Sequence, residues 1–220
     1  MEKKKLITYS AISLAITSIF VYLLYKMKKS SKEEVDTPST DYTKETYKDY
    51  VVSKPNGKES VNVVIVYGGI NYANPEWMFK QVPKEVLLRN LMFIAPYTNS
   101  ATQVSKDLDA YLSKNNLEKK SLSVIGFSAG GNNAQSSYSD KLRFFGLIDP
   151  STKEQWLSIN FGKNAHMVYN NSNWGSYPSI KSIQPKIASK IDKAGGMVES
   201  VDMSHKDIPK YFFNSHSNLI

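Results

Sequence analysis

Ser128 stands in Gly126-Phe127-Ser128-Ala129-Gly130, directly after the apolar run Leu122-Ser123-Val124-Ile125. A serine flanked by glycines between a strand and a helix can be held in a sharp, strained turn, its hydroxyl raised above the sheet as a nucleophile. The glycines allow the bend and let the following helix pack close. Acyl transfer by such a serine needs an imidazole base, an acid that orients the imidazole, and amide donors for the oxyanion. The chain offers three histidines, His166, His205 and His216, and carboxylates in Asp149-Pro150 and in Asp202-Met203-Ser204-His205. The amide of Ala129, next after the serine, is the first oxyanion donor.

These residues work together only if the elements around them bring them to one place. Short apolar runs at 61–67, 91–95, 122–125, 143–148, 165–169 and 197–201 read as strands. Between them lie helix-like segments at 83–90, 102–115 and 180–194, the last stopped by Gly195-Gly196, with a final helix beginning near Pro209. Strands alternating with helices imply an α/β fold, a mostly parallel sheet covered on both faces. In such sheets chemistry gathers at the carboxyl ends of the strands. Tyr67-Gly68-Gly69-Ile70, Ser128, Asp149 and the loop holding His205 all follow strand ends. His166 begins a strand, at the opposite end of the sheet, and is read as structural. His216 lies four residues from the C-terminus, where fraying is expected.

The order Ser, Asp, His at strand ends resembles the α/β-hydrolase family over residues 61–213. The resemblance implies Ser128 as nucleophile and His205 as base. It also implies a second oxyanion donor, Gly69 or Ile70, because Tyr67-Gly68-Gly69-Ile70 is similar to the family's His-Gly-Gly loop. The commonest family pattern puts the acid after the strand at 165–169, where this chain has Asn170-Asn171-Ser172-Asn173. Pancreatic-type lipases carry it one strand earlier in a Leu-Asp-Pro context, which favours Asp149 here. Asp202 is the alternative acid, and an amide from the asparagine cluster the third. Asp149 could otherwise cap a turn starting at Pro150.

Composition sets the outer bounds. The chain has no cysteine, which excludes disulfides, thiolate metal ligands and thiol nucleophiles. No His-x-x-His or His-Glu-x-x-His spacing occurs, so no metal site is expected. The net charge of +8 is spread without a basic-aromatic cluster, and no nucleic-acid partner is expected. Residues 6–25 carry no charge and are mostly apolar. As a helix they would cover about 30 Å, the thickness of a bilayer core. No small-residue cleavage site ends the run, so an uncleaved single-pass anchor is expected. Lysines flank it on both sides, which leaves the orientation open. Residues 26–50 are polar and poor in aliphatic side chains and read as a linker, with one hydrolase-like domain over 51–220.

The expectation is therefore a membrane-tethered serine hydrolase of the esterase or lipase-like kind. It would act on a small-molecule or lipid acyl ester and need no cofactor. The same residues suit an amide or thioester, and a hydrolase-like binding module without activity is the non-enzymatic reading. Trp77, Met78, Phe79 and residues 156–161 are candidates for an apolar rim or, equally, for core packing.

Overall fold

The computed structural model describes residues 39–72 and 74–220. The anchor expected over 6–25 lies outside them, and among the described residues no helix is long and apolar enough to cross a membrane. Eight strands form one sheet: β1 Tyr42–Thr46, β2 Val51–Pro55, β3 Ser60–Tyr67, β4 Asn90–Ala95, β5 Glu118–Phe127, β6 Phe144–Ile148, β7 Ala165–Tyr169 and β8 Met197–Ser200. Their order is β1-β2-β4-β3-β5-β6-β7-β8. The strands from β4 to β8 run parallel, whereas β1 and β2 are antiparallel to their neighbours. The helices are α1 Pro75–Phe79, α2 Lys84–Arg89, α3 Ala101–Lys114, α4 Gly130–Ser136, α5 Pro178–Lys193 and α6 Ile208–Ser215.

Alternation along the central strands divides the core in two. Val61, Val63, Ile65 and Tyr67 pack with Val104 and Leu108 of α3 and with Ile183, Ile187 and Ile191 of α5. Val64 and Val66 pack on the other face with Val86 and Leu87 of α2 and with Ile208, Phe212 and Phe213 of α6. Because both faces are covered, the strands read as unbroken apolar runs, and each fully buried aliphatic side chain contributes ~1.5–3 kcal/mol. The edge is different. β1 has the sequence Tyr-Thr-Lys-Glu-Thr and is nowhere fully buried. A polar edge strand carries no apolar run to read, so the stretch taken as linker to residue 50 in fact ends earlier, with Tyr42 to Thr46 paired on β2.

Winding direction places the site. From β3 the chain steps to β4 on one side, then returns to β5 on the other. Tyr67 and Gly126 are register partners at the carboxyl ends of β3 and β5, so the Gly68-Gly69 loop and Ser128 leave from adjacent positions at this reversal.

The C-terminus is not frayed. His216 is 2% exposed and stacks on Phe212 at 4.4 Å, while the Arg89 guanidinium donates to Ser217 O at 2.5 Å. Hydrophobic contacts of Ile220, itself buried, hold the end of the chain down. His166, also buried, stacks on Phe144 at 4.8 Å and meets His216 edge-on at 5.6 Å. Burial, followed by the nearby His216, pushes His166 down to about 4. Burial likewise lowers His216, against an opposing hydrogen bond to Phe212 O and the charge of Glu199. Both rings therefore take up a proton less readily in the folded protein than in the unfolded chain, where histidine titrates near 6.5. Their contribution is complete above that value and is lost as pH falls from there through about 4 for His166. Between pH 7 and 4.5 the loss from His166 should be on the order of 2 kcal/mol, or ~4–8 °C in Tm. Thermal melts across that range check it, and His166→Phe should flatten the slope; an unchanged slope would refute the assignment.

Candidate active site

Ser128 occupies the turn between β5 and α4 with φ 52°, the left-handed region that costs a non-glycine residue of order 1–3 kcal/mol. Three backbone hydrogen bonds hold it there. Its N–H donates to Ile148 O at 3.0 Å, and its carbonyl accepts from Gly131 at 3.0 Å and from Ser151 at 2.8 Å. Gly130 is required by close approach, since a Cβ there would lie 2.4 Å from Tyr67 O. Any side chain at that position would push α4 off the end of β3.

Asp149 follows β6 and is completely buried, with φ 37°. Its N–H donates to Val168 O at 2.7 Å, pinning it beside β7. Five donors converge on its carboxylate. Oδ1 accepts from Asn170 N–H at 3.2 Å, from Trp174 Nε1 at 3.0 Å and from Gln184 Nε2 at 3.0 Å. Oδ2 accepts from Asn173 Nδ2 at 2.8 Å and from His205 Nδ1 at 2.6 Å. Burial pushes this carboxyl up, but the hydrogen bonds from His205 and Asn173, the charge on His205 and the Trp174 indole together hold it below the usual carboxylate value. An ionised carboxylate only accepts, so Nδ1 of His205 carries the hydrogen and Nε2 is left as the basic nitrogen. With both oxygens engaged in this way, Asp149 is not serving as a helix cap.

The asparagine cluster has a role that sequence reasoning missed. Asn170 and Asn173 donate to the Asp149 carboxylate, and their side-chain amides also donate to Met203 O at 2.9 and 3.2 Å, which ties down the loop carrying His205. The His205 ring lies 4.6 Å from Phe127 and meets Trp174 edge-on at 5.3 Å. Asp202, the alternative acid, is exposed, and the structure brings Asp149 to the ring instead. Gln184 on α5 had no signal of its own; a buried glutamine facing the apolar side of an amphipathic helix was the only available clue.

On the β3 loop, Gly68 N–H is spent on Ala95 O at 2.9 Å. A Cβ on Gly69 would come within 2.7 Å of Ser128 Cβ and 3.2 Å of its Oγ, so only glycine lets this loop lie against the serine. Among the described residues no acceptor within the protein takes the amide hydrogens of Ile70 or Ala129. A cavity of ≈ 350 Å³ opens over these groups, lined by Ile70, Ser128, Ala129 and His205 together with Asn71, Tyr72, Ser151, Asn173, Trp174, Tyr177 and Ile180. Its exposed apolar lining is Ile70 and Tyr177, 59% and 58% exposed, and of residues 77–79 and 156–161, read as rim or core, none lines the cleft. Met78 and Phe79 are buried in the core, as is Phe161, and Trp156 is fixed by a hydrogen bond from Nε1 to Asn132 at 2.9 Å. Among the described residues no group of three or more histidines and carboxylates is placed to hold a metal ion.

No family model matches the chain, and no curated protein matches it in sequence. Solved structures do match. An S-formylglutathione hydrolase from Agrobacterium tumefaciens superposes with a TM-score of 0.59 at 9% identity, over 80% of this chain and 92% of that one. An esterase from the hyperthermophilic archaeon Pyrobaculum calidifontis gives 0.56 at 12% identity, over 83% of each chain. Carboxyl esterase 2 from the fungus Tuber melanosporum gives 0.54 at 11% identity, over 86% of this chain and 90% of that one. At such identities the likeness is one of fold.

Proposed function

Starting from the α/β-hydrolase fold that the chain shares with these structures, we propose that it is a serine hydrolase of carboxylic esters, tethered to a membrane by residues 6–25. The observation that carries the reading is the hydrogen bond from His205 Nδ1 to the buried Asp149, in a cleft that His205 shares with the strained Ser128. Ser128 Oγ attacks the acyl carbonyl while His205 Nε2 takes its proton. The amides of Ala129 and of Gly69 or Ile70 bind the oxyanion. Collapse expels the alcohol, protonated by His205, and leaves the acyl group on Ser128. His205 then deprotonates a water that attacks the acyl-enzyme and releases the acid. Asp149 keeps the ring in the productive tautomer and offsets the imidazolium charge. These proton transfers call for no cofactor.

Residues 170–173 after β7 hold no carboxylate, which would favour a non-enzymatic binding module, but Asp149 reaches His205 from β6 and supports the enzymatic reading. The substrate class is an uncharged acyl ester, small-molecule or lipid, because the described residues lining the cleft include no lysine, arginine or carboxylate. The polar segment from residue 26 to the start of β1 would be the tether. One experiment tests both parts. A fluorophosphonate probe should label the full-length native chain but not Ser128→Ala, and the labelled chain should stay with membranes through an alkaline carbonate wash. Equal labelling of the variant refutes the nucleophile, and release by the wash refutes the anchor.

A further inference from the structure

A second cavity, of ≈ 240 Å³, lies between the β1–β2 turn, β4 and α3, and shares no lining residue with the cleft of Ser128. Its wall is built from Tyr47, Tyr50, Phe93, Asp107, Tyr111 and Lys114. Tyr47 N–H donates to Tyr50 O at 2.8 Å, closing the turn that brings both tyrosines to the cavity. Phe93, from β4, is buried, with Tyr50 at 4.8 Å and Tyr111 edge-on at 6.4 Å. On α3, Asp107, Tyr111 and Lys114 are spaced four and three residues apart, which puts them on one helix face.

Each phenol in this wall donates to a carboxylate. Tyr47 and Tyr111 both donate to Glu45, at 2.5 and 2.9 Å, and Tyr50 donates to Asp107. Gln103 takes the other Asp107 oxygen at 2.9 Å. Donation to an anion enriches the electron density of each ring, and burial together with Asp107 raises Tyr50 to about 12, so its ring stays neutral. The cavity is thus lined by electron-rich aromatic side chains close to two carboxylates. Each of the four carboxylate oxygens already accepts a hydrogen bond, and of the two groups only Asp107 lines the cavity, which disfavours a metal ion or a primary ammonium that needs several acceptors. A cation that carries no donors and is attracted through aromatic faces suits such a wall. Lys114, exposed at the mouth, opposes cation entry and sets a limit on affinity.

We propose that this aromatic cavity binds a quaternary ammonium group, at a site separate from the cleft of Ser128. The reading does not depend on the proposed hydrolase activity. Choline and its neutral carbon isostere 3,3-dimethylbutan-1-ol, titrated calorimetrically into the full-length chain, separate charge from shape. Choline should bind saturably, one per chain, about tenfold or more tighter than the isostere. Tyr47→Leu, at a position 42% exposed and so tolerant of change, should weaken choline about tenfold, and Lys114→Gln should tighten it several-fold. Absence of saturable choline binding, equal affinity for the isostere, or a Kd unmoved in both variants overturns the proposal.

Discussion

Replacing Ser128 or His205 by alanine should each lower kcat for p-nitrophenyl butyrate by about 10⁶-fold, and the double variant should fall little further. The reason for non-additivity is that the two side chains perform one step. Without the imidazole the hydroxyl keeps its proton, and without the hydroxyl the imidazole has nothing to activate but water. What remains in each variant is binding and whatever the amides of Ala129 and Gly69 or Ile70 contribute, and those do not depend on either side chain. The serine sits in a turn held by backbone bonds to Ile148, Gly131 and Ser151, none of which involves its side chain, so Ser128→Ala should melt near the native temperature. His216→Ala is the control for histidine identity, because that ring stacks on Phe212, meets His166 edge-on and does not line the cleft. Steady-state rates with melts on each variant check this. Equal catalytic damage from His205→Ala and His216→Ala, in chains that remain folded, would remove His205 from the mechanism.

Much of the fold was legible because its core strands are covered on both faces. The apolar runs at 61–67, 91–95, 122–125, 143–148, 165–169 and 197–201 became β3 to β8, and the helices expected at 102–115 and 180–194 became α3 and α5 with ends shifted by one or two residues. The polar edge strand β1 escaped because hydrogen bonding, not apolar patterning, places it, and β2 offers only the short apolar pair Val51-Val52. The C-terminus escaped for the opposite reason. Phe212, Phe213 and Ile220 are buried, and a tail with that anchoring does not fray. In the candidate site, residues marked by backbone demands were visible in advance, namely the turn at Ser128 and the glycine beside it. Asp149 and His205 were visible through their places at strand ends, whereas the side chains that support the Asp149 carboxylate were not. Trp174 and Gln184 reach one carboxylate from 25 and 35 residues away, and nothing local in either segment announces that.

That convergence makes Asp149→Asn the sharper test of how the site works. Of the five donors around the carboxylate, four are fixed by their own elements: the Asn170 backbone, the Asn173 amide, the Trp174 indole and the Gln184 amide. An asparagine must turn its NH₂ toward one set of them, placing donor against donor in a fully buried pocket. If the oxygen stays on the side of Trp174 and Gln184, the NH₂ faces His205 Nδ1 and forces the ring to carry its hydrogen on Nε2, where the base is needed. If the amide flips, Trp174 and Gln184 lose their acceptor. Either way the imidazolium loses its counter-charge. The variant should therefore lose kcat toward the ~10⁴-fold that the same change costs a serine protease triad. Asp202→Asn, on an exposed side chain, should cost under about tenfold. Rates for both variants, with melting temperatures to separate lost fold from lost chemistry, decide between the two acids. A folded Asp149→Asn within tenfold of native, with Asp202→Asn the more damaged, would move the acid to the loop and reduce the Asp149 network to a structural anchor for the His205 loop.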